Sequence, residues 1–144
     1  MLVDANLLLY AVDARSPHHE VAAAWLEDVL NGDRRVGLPW QTLGAFVRII
    51  THPRISTNPL TAERAWGYVR DWLAAGPTWI PPATERTAAV LIELGSSMRI
   101  TANLVPDAQL AALAIEHGLV VVSADSDFAR FPDVRWENPL TPSR

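Results

Sequence analysis

Residues Leu119 to Val122 form an unbroken apolar run of β-branched character. A run of that kind is the mark of a central strand buried on both faces, as in a parallel sheet covered by helices. It follows a helical stretch closed by Gly118 and ends in Ser123-Ala124-Asp125-Ser126-Asp127-Phe128. The opening residues repeat the pattern. Leu2 and Val3 read as a short buried strand, Asp4 interrupts it, and Leu7 to Val12 are apolar again with helix-favouring Ala and Leu. The expected class is therefore α/β. In an open sheet of that class the carboxyl ends of the strands form the crevice where ligands bind. A carboxylate between apolar flanks is costly there unless something pairs with it, and a bound cation is the simplest partner. The plain alternative is that Asp4 caps the helix, which Asp does well.

The chain of 144 residues fits one domain, 1–144. Its 49% hydrophobic content is ample for a core, and 19% charge is too low for disorder. There is no cysteine, which excludes a disulfide framework and a thiolate metal site. No basic start leads into a long apolar segment, so we expect a soluble, cytoplasmic protein without a membrane span. The formal net charge of −4 argues against broad electrostatic adhesion to nucleic acid or anionic membrane. It leaves open a nucleic-acid substrate held by metal ions and a local basic patch.

Along the chain, Ser16-Pro17 predicts a helix start, and Val21, Trp25, Leu26, Val29 and Leu30 recur at helical spacing before Asn31-Gly32. His18, His19 and Glu20 are adjacent, so a helix splays them apart; they read as a solvated helix start rather than a metal site. Arg35 to Pro39 is a short strand. Trp40 to Ile50 is a helix burying Leu43, Phe46, Val47 and Ile50, stopped by Thr51-His52-Pro53. Arg48, His52 and Arg54 cluster in a stretch with no acidic residue between Asp33 and Glu63. They suit phosphates or a partner protein, or are an ordinary exposed helix face. Thr61 caps a helix over 62–75 closed by Gly76, with Trp66, Val69 and Leu73 on one side and Tyr68 and Trp72 on others. Trp79-Ile80 is a strand, Pro81-Pro82 a turn, and Thr84 starts a helix to about Met98 along Ala88, Leu91 and Leu94. The scattered tryptophans read as core or dimer contacts.

Pro106 and Gly118 bracket another helix that buries Leu110, Ala111, Leu113 and Ala114 and carries Asp107 in its first turn. Phe128 and Phe131 anchor a turn, Val134 to Trp136 forms an edge strand, and Pro139, Pro142 and Arg144 suggest a frayed tail.

Asp4 and Asp125 both follow apolar strands, and Asp107 opens the helix that leads into one of them. In a parallel sheet these points share an edge. Two charges ~4 Å apart repel by about 4 kcal/mol at an effective dielectric of ~20. Hard divalent ions relieve that, and Mg²⁺ or Mn²⁺ suits an all-carboxylate site. Such sites activate water and neutralise phosphate, which predicts phosphodiester hydrolysis.

Four segments together carry a family resemblance: Asp4-Ala-Asn6-Leu-Leu-Leu-Tyr10, Phe46-Val-Arg48-Ile-Ile-Thr-His52-Pro53-Arg54, Asn103-Leu-Val-Pro-Asp107-Ala-Gln-Leu, and Ser123-Ala-Asp125-Ser-Asp127-Phe128. In this order, over nearly the whole chain, they resemble the PIN-domain ribonuclease toxins of VapC type. The resemblance implies a three-layer α/β/α sandwich with a mostly parallel central sheet and Mg²⁺-dependent RNA cleavage. It implies a homodimer, and a VapB-type antitoxin that neutralises it in a higher assembly. It implies Asp4 and Asp107 as metal ligands and catalytic residues, with Asp125 completing the acidic set. Asn6 and Ser123 would hold ligands or waters from behind, and Asp127 would join either group. One departure stands out: the family pattern places a glutamate where this chain has Ala45, which weakens the case for a second metal ion.

The rival expectation is a binding module, a fold of this type that grips RNA or an antitoxin but cleaves poorly because Ala45 replaces a carboxylate. A nucleotide-binding Rossmann protein is disfavoured by the lack of G-x-G-x-x-G after the first strand.

Overall fold

The computed structural model describes residues 1–56 and 58–142; Arg144 of the expected tail lies outside them. The elements run β1 (Leu2–Val3), α1 (Ala5–Val12), α2 (His19–Leu30), β2 (Val36–Gly37), α3 (Trp40–Ile50), α4 (Ala62–Ala74), β3 (Thr78–Trp79), α5 (Glu85–Ser97), α6 (Leu104–His117), β4 (Val121–Val122), a 3₁₀ turn (Ser126–Arg130) and β5 (Trp136–Glu137).

The strands form one sheet in the order β3-β2-β1-β4-β5, and every pairing is parallel. Leu2 pairs with Val121 and Val3 with Val122. Successive strand residues point to opposite faces, and β1 shows this directly. Val3 joins Val36, Leu38 and Val122 under Leu7, Leu8, Leu26, Leu43, Phe46, Ile50 and Trp72, the buried sides of α1 to α4. Leu2 joins Val121 under Leu94, Ala108, Leu110, Ala111 and Leu113 of α5 and α6, with Phe128 and Phe131. The result is a three-layer α/β/α sandwich. Two-residue strands suffice because β1 is buried from both sides. Gly37 is required at its place: a Cβ there would lie 2.9 Å from Pro81 Cγ and 3.0 Å from the Met1 carbonyl oxygen.

Local chemistry sets most helix ends. Thr61 Oγ1 accepts from the Arg64 amide at 3.2 Å. Thr84 caps α5, and Thr87 reaches back to the Thr84 amide at 2.9 Å. Gly118 ends α6 in the left-handed region at φ 65°.

Several expectations shift. Helix α2 starts at His19 rather than at Ser16-Pro17, because Ser16 makes a turn instead: its hydroxyl accepts from the His18 amide and its carbonyl from the His19 amide. The α2 face is centred on Ala22 and Leu26, leaving Val21 exposed. In α4 the buried residues are Ala65, Val69 and Trp72, and Trp66 is exposed. Trp72 wins the inward position because its ring packs edge-on against Phe46, centroids 4.7 Å apart. The cap of α4 is Ala75, not Gly76. Ala88 is exposed, so α5 touches the core through Leu94, with Val90 and Leu91 partly buried. Strand β3 falls one residue earlier than expected, and β5 ends one residue later.

Candidate metal centre

Asp4 sits between β1 and α1 and caps the helix: the Ala5 amide donates to its Oδ1 at 2.7 Å. Its other oxygen accepts from Ser123 Oγ at 2.6 Å and from Asn6 Nδ2 at 3.3 Å. Asn6 Nδ2 also donates to Ser123 Oγ at 3.0 Å, and Asn6 Oδ1 accepts from the Ala124 amide at 3.3 Å. Ser123 is fully buried. Its hydroxyl accepts from the Asp125 amide at 3.0 Å, and its carbonyl from Trp136 Nε1 at 3.0 Å. Asp125 Oδ1 then accepts from the Asp127 amide at 2.9 Å, opening the 3₁₀ turn. One hydrogen-bond chain thus joins the end of β1, the start of α1 and the loop after β4.

Asp107, in the first turn of α6, faces that loop. Asp107, Asp125 and Asp127 each present a carboxylate oxygen, and the three oxygens lie within 4.8 Å of one another. Burial, foremost, pushes the Asp107 carboxyl up to about 6, and the charges of Asp125, Asp4 and Asp127 add to it. Burial also raises Asp4, opposed by the hydrogen bonds from Ser123 and Ala5. The Asp127 side chain is 50% exposed, and its nearest cation is Arg130 at 3.9 Å.

All the acids expected from the sequence meet at this edge, with a different internal arrangement. The tight set is Asp107, Asp125 and Asp127. Asp4 contributes its charge from beside it, both of its oxygens already hydrogen-bonded. Arg48, His52 and Arg54 lie at the far end of α3 from Trp40; the His52 ring accepts from the Arg54 amide at 3.1 Å, and both arginines are exposed. Thr42 is a residue that the sequence reading missed. It is buried, and its hydroxyl donates to the Val3 carbonyl at 2.7 Å, tying α3 to the residue before Asp4. The available signal was a hydroxyl beside Leu43 on the apolar side of a helix. Ala45 follows one turn later, partly buried.

The donor set fits a hard divalent ion: every candidate ligand is a carboxylate oxygen, and the raised Asp107 marks negative charge that a cation would relieve. Residues 1–134 match the PIN domain. The chain is a PIN-domain protein of VapC type. It is 47% identical over 138 residues to Ribonuclease VapC37 of Mycobacterium tuberculosis (strain ATCC 25618 / H37Rv), covering 96% of both chains. It is 39% identical over 140 residues to Ribonuclease VapC33 of the same organism, covering 97% of this chain and 98% of that one. The solved VapBC2 of Rickettsia felis, bound to a DNA fragment from its promoter, aligns at TM-score 0.66 and 18% identity over 95% of this chain and 96% of that one. For this PIN domain the parallel sheet therefore brings together acids that the sequence spreads from Asp4 to Asp127. Among the described residues no helix is long and apolar enough to cross a membrane.

Proposed function

We propose that this protein is a metal-dependent endoribonuclease, the toxin of a toxin–antitoxin pair held in check by a VapB-type antitoxin. The observation that carries the reading is the convergence of Asp107, Asp125 and Asp127 beside Asp4 on the carboxyl edge of a parallel sheet. The names of the relatives, ribonucleases at up to 47% identity over 96% of the chain, supply the substrate class. The VapBC complex among the structural neighbours supports an antitoxin partner. The reading extends to a homodimer in the cytoplasm.

Asp107, Asp125 and Asp127, with Asp4, would hold Mg²⁺ or Mn²⁺. When bound, such an ion activates water and neutralises a scissile phosphate. The protein's own part is positioning. Ser123 and Asn6 hold Asp4 in one orientation, and the Asp125 to Asp127 turn aims two carboxylates at Asp107. Asp107 must be deprotonated to serve as a ligand, so metal affinity rises with pH through its titration.

A second reading, a PIN fold that binds RNA or antitoxin and cleaves weakly, is favoured by Ala45, which adds no carboxylate to the set. Cleavage of RNA by the purified protein, with and without Mg²⁺ or Mn²⁺, tests the two. Metal-dependent cleavage lost in Asp107→Asn supports the nuclease. RNA binding with no cleavage at any metal concentration supports the binding module.

A further inference from the structure

The solvent face of α3 is composed in a way that packing does not explain. Its exposed residues are Trp40, Gln41, Gly44 and Arg48. Positions 40, 44 and 48 are successive i, i+4 neighbours and form one stripe about 12 Å long. Trp40 is 58% exposed, although a tryptophan is among the side chains that gain most from burial. Gly44 lies inside a helix, where glycine is a poor choice. A Cβ built on it meets nothing within 4 Å, so no neighbour demands its absence. Arg48 makes no ion pair among the described residues, and the chain carries no acid between Asp33 and Glu63.

The stripe starts on the edge of the sheet that carries the carboxylates. Trp40 follows the carboxyl end of β2, the strand next to β1, and two residues later Thr42 is tied to the Val3 carbonyl at 2.7 Å. The Trp40 end of α3 therefore lies at the carboxyl edge of the sheet, and the other end leads to His52 and Arg54.

We propose that this face is the track on which single-stranded RNA reaches the carboxylates, one base stacked on Trp40 and the backbone passing over Gly44 to Arg48. This rests on the ribonuclease reading above and adds the residues that position the strand. An aromatic face accepts any base, and a basic side chain follows the backbone. A residue without a side chain lets the strand approach the helix closely. A second copy of the chain suits the stripe poorly: a stable interface buries roughly 800 Å² per partner, and here one tryptophan is followed by a glycine and a charge.

The test is fluorescence anisotropy with a fluorescein-labelled single strand of mixed sequence, about twelve nucleotides long, in EDTA so that cleavage does not compete. Melting temperature, sedimentation and Mg²⁺-dependent cleavage are measured on the same proteins. Trp40→Ala and Gly44→Leu should each weaken binding about tenfold, raise KM and leave kcat at saturating RNA, with the fold retained. Trp40→Phe should restore most of the affinity. Arg48→Ala should weaken binding and lower the salt slope by about one unit. Duplex RNA should bind all variants alike. Wild-type affinity for the single strand in both Trp40→Ala and Gly44→Leu overturns the track. So does a Trp40→Ala protein that has lost self-association but kept its RNA affinity, which would make the face a contact between copies. If the wild type cleaves RNA while the variants match it, only the track fails. If the wild type neither binds nor cleaves RNA, the ribonuclease reading fails with it.

Discussion

The Ser123 hydroxyl donates to the Asp4 carboxylate at 2.6 Å, across 119 residues of sequence. The same hydroxyl accepts from Asn6 and from the Asp125 amide, so it ties two acids to one point. Ser123→Ala should cost about 1–3 kcal/mol of stability, the usual penalty for leaving buried polar partners unmatched. It should also raise the Asp4 carboxyl further, since the Ser123 bond now lowers it. The cleavage rate should fall and its pH profile move to higher pH. Urea denaturation and a rate–pH curve check both; an unchanged profile would mean that Ser123 only packs.

Asp4→Asn keeps the size of the side chain and removes its charge. It should abolish cleavage and growth inhibition and leave the circular dichroism spectrum as it was. A fully active Asp4→Asn protein would remove Asp4 from the site.

Cations should stabilise the wild type. A ligand at about 100 times its Kd adds ~2.7 kcal/mol to folding. Mg²⁺ or Mn²⁺ should raise Tm in the wild type and not in Asp4→Asn/Asp107→Asn. Equal shifts in both proteins would show that the ions bind elsewhere.

The raised carboxyl of Asp107 gives a pH effect of definite sign. Its value rises from 3.8 to about 6 in the folded chain. Between those values the native state binds more protons than the unfolded one, so this group's contribution to stability falls as pH rises. Without metal, the wild type should gain in Tm from about pH 7 to about pH 5 relative to Asp107→Asn. Saturating Mg²⁺ should shrink the difference, because the cation replaces the proton. Parallel Tm curves for wild type and variant would contradict the assignment.

Ala45 is the place to restore a carboxylate. Ala45→Glu should tighten a second ion and raise cleavage at low metal. It should lower the Tm of the metal-free protein, since it adds a like charge to the cluster. If a metal titration leaves both rate and Tm unchanged, the side chain at 45 does not face the acids.

The strongest sequence signals were those in which one segment decides its own structure. Helix α3 was read with its bounds intact because its apolar residues keep helical spacing and Thr51-His52-Pro53 closes it. Asp4 and Asp125 were placed beyond strand ends because each follows an apolar run. What stayed hidden depends on a partner far away in sequence. Helix α4 carries aromatic residues on several sides, and only the Phe46 ring decides that Trp72 turns inward and Trp66 outward. Asp127 joins Asp107 because its amide folds back onto Asp125, a turn that spacing alone does not reveal. Thr42, on helix α3, finds its acceptor on strand β1, so its role shows only when the two are packed together.

The place of β1 at the centre of the sheet has a consequence for synthesis. Asp4 is made before Asp107, before the strand that completes its surroundings, which ends at Val122, and before Asp125 and Asp127. A ribosome adds about 5–20 residues per second. The interval between Asp4 and Asp125 therefore lasts about 6–25 s, during which a growing chain holds an incomplete set of site carboxylates and only part of its sheet. A chain threaded in this way cannot assemble its carboxylate cluster until Asp127 has been made, and a chain broken off before α6 lacks Asp107, Asp125 and Asp127 altogether.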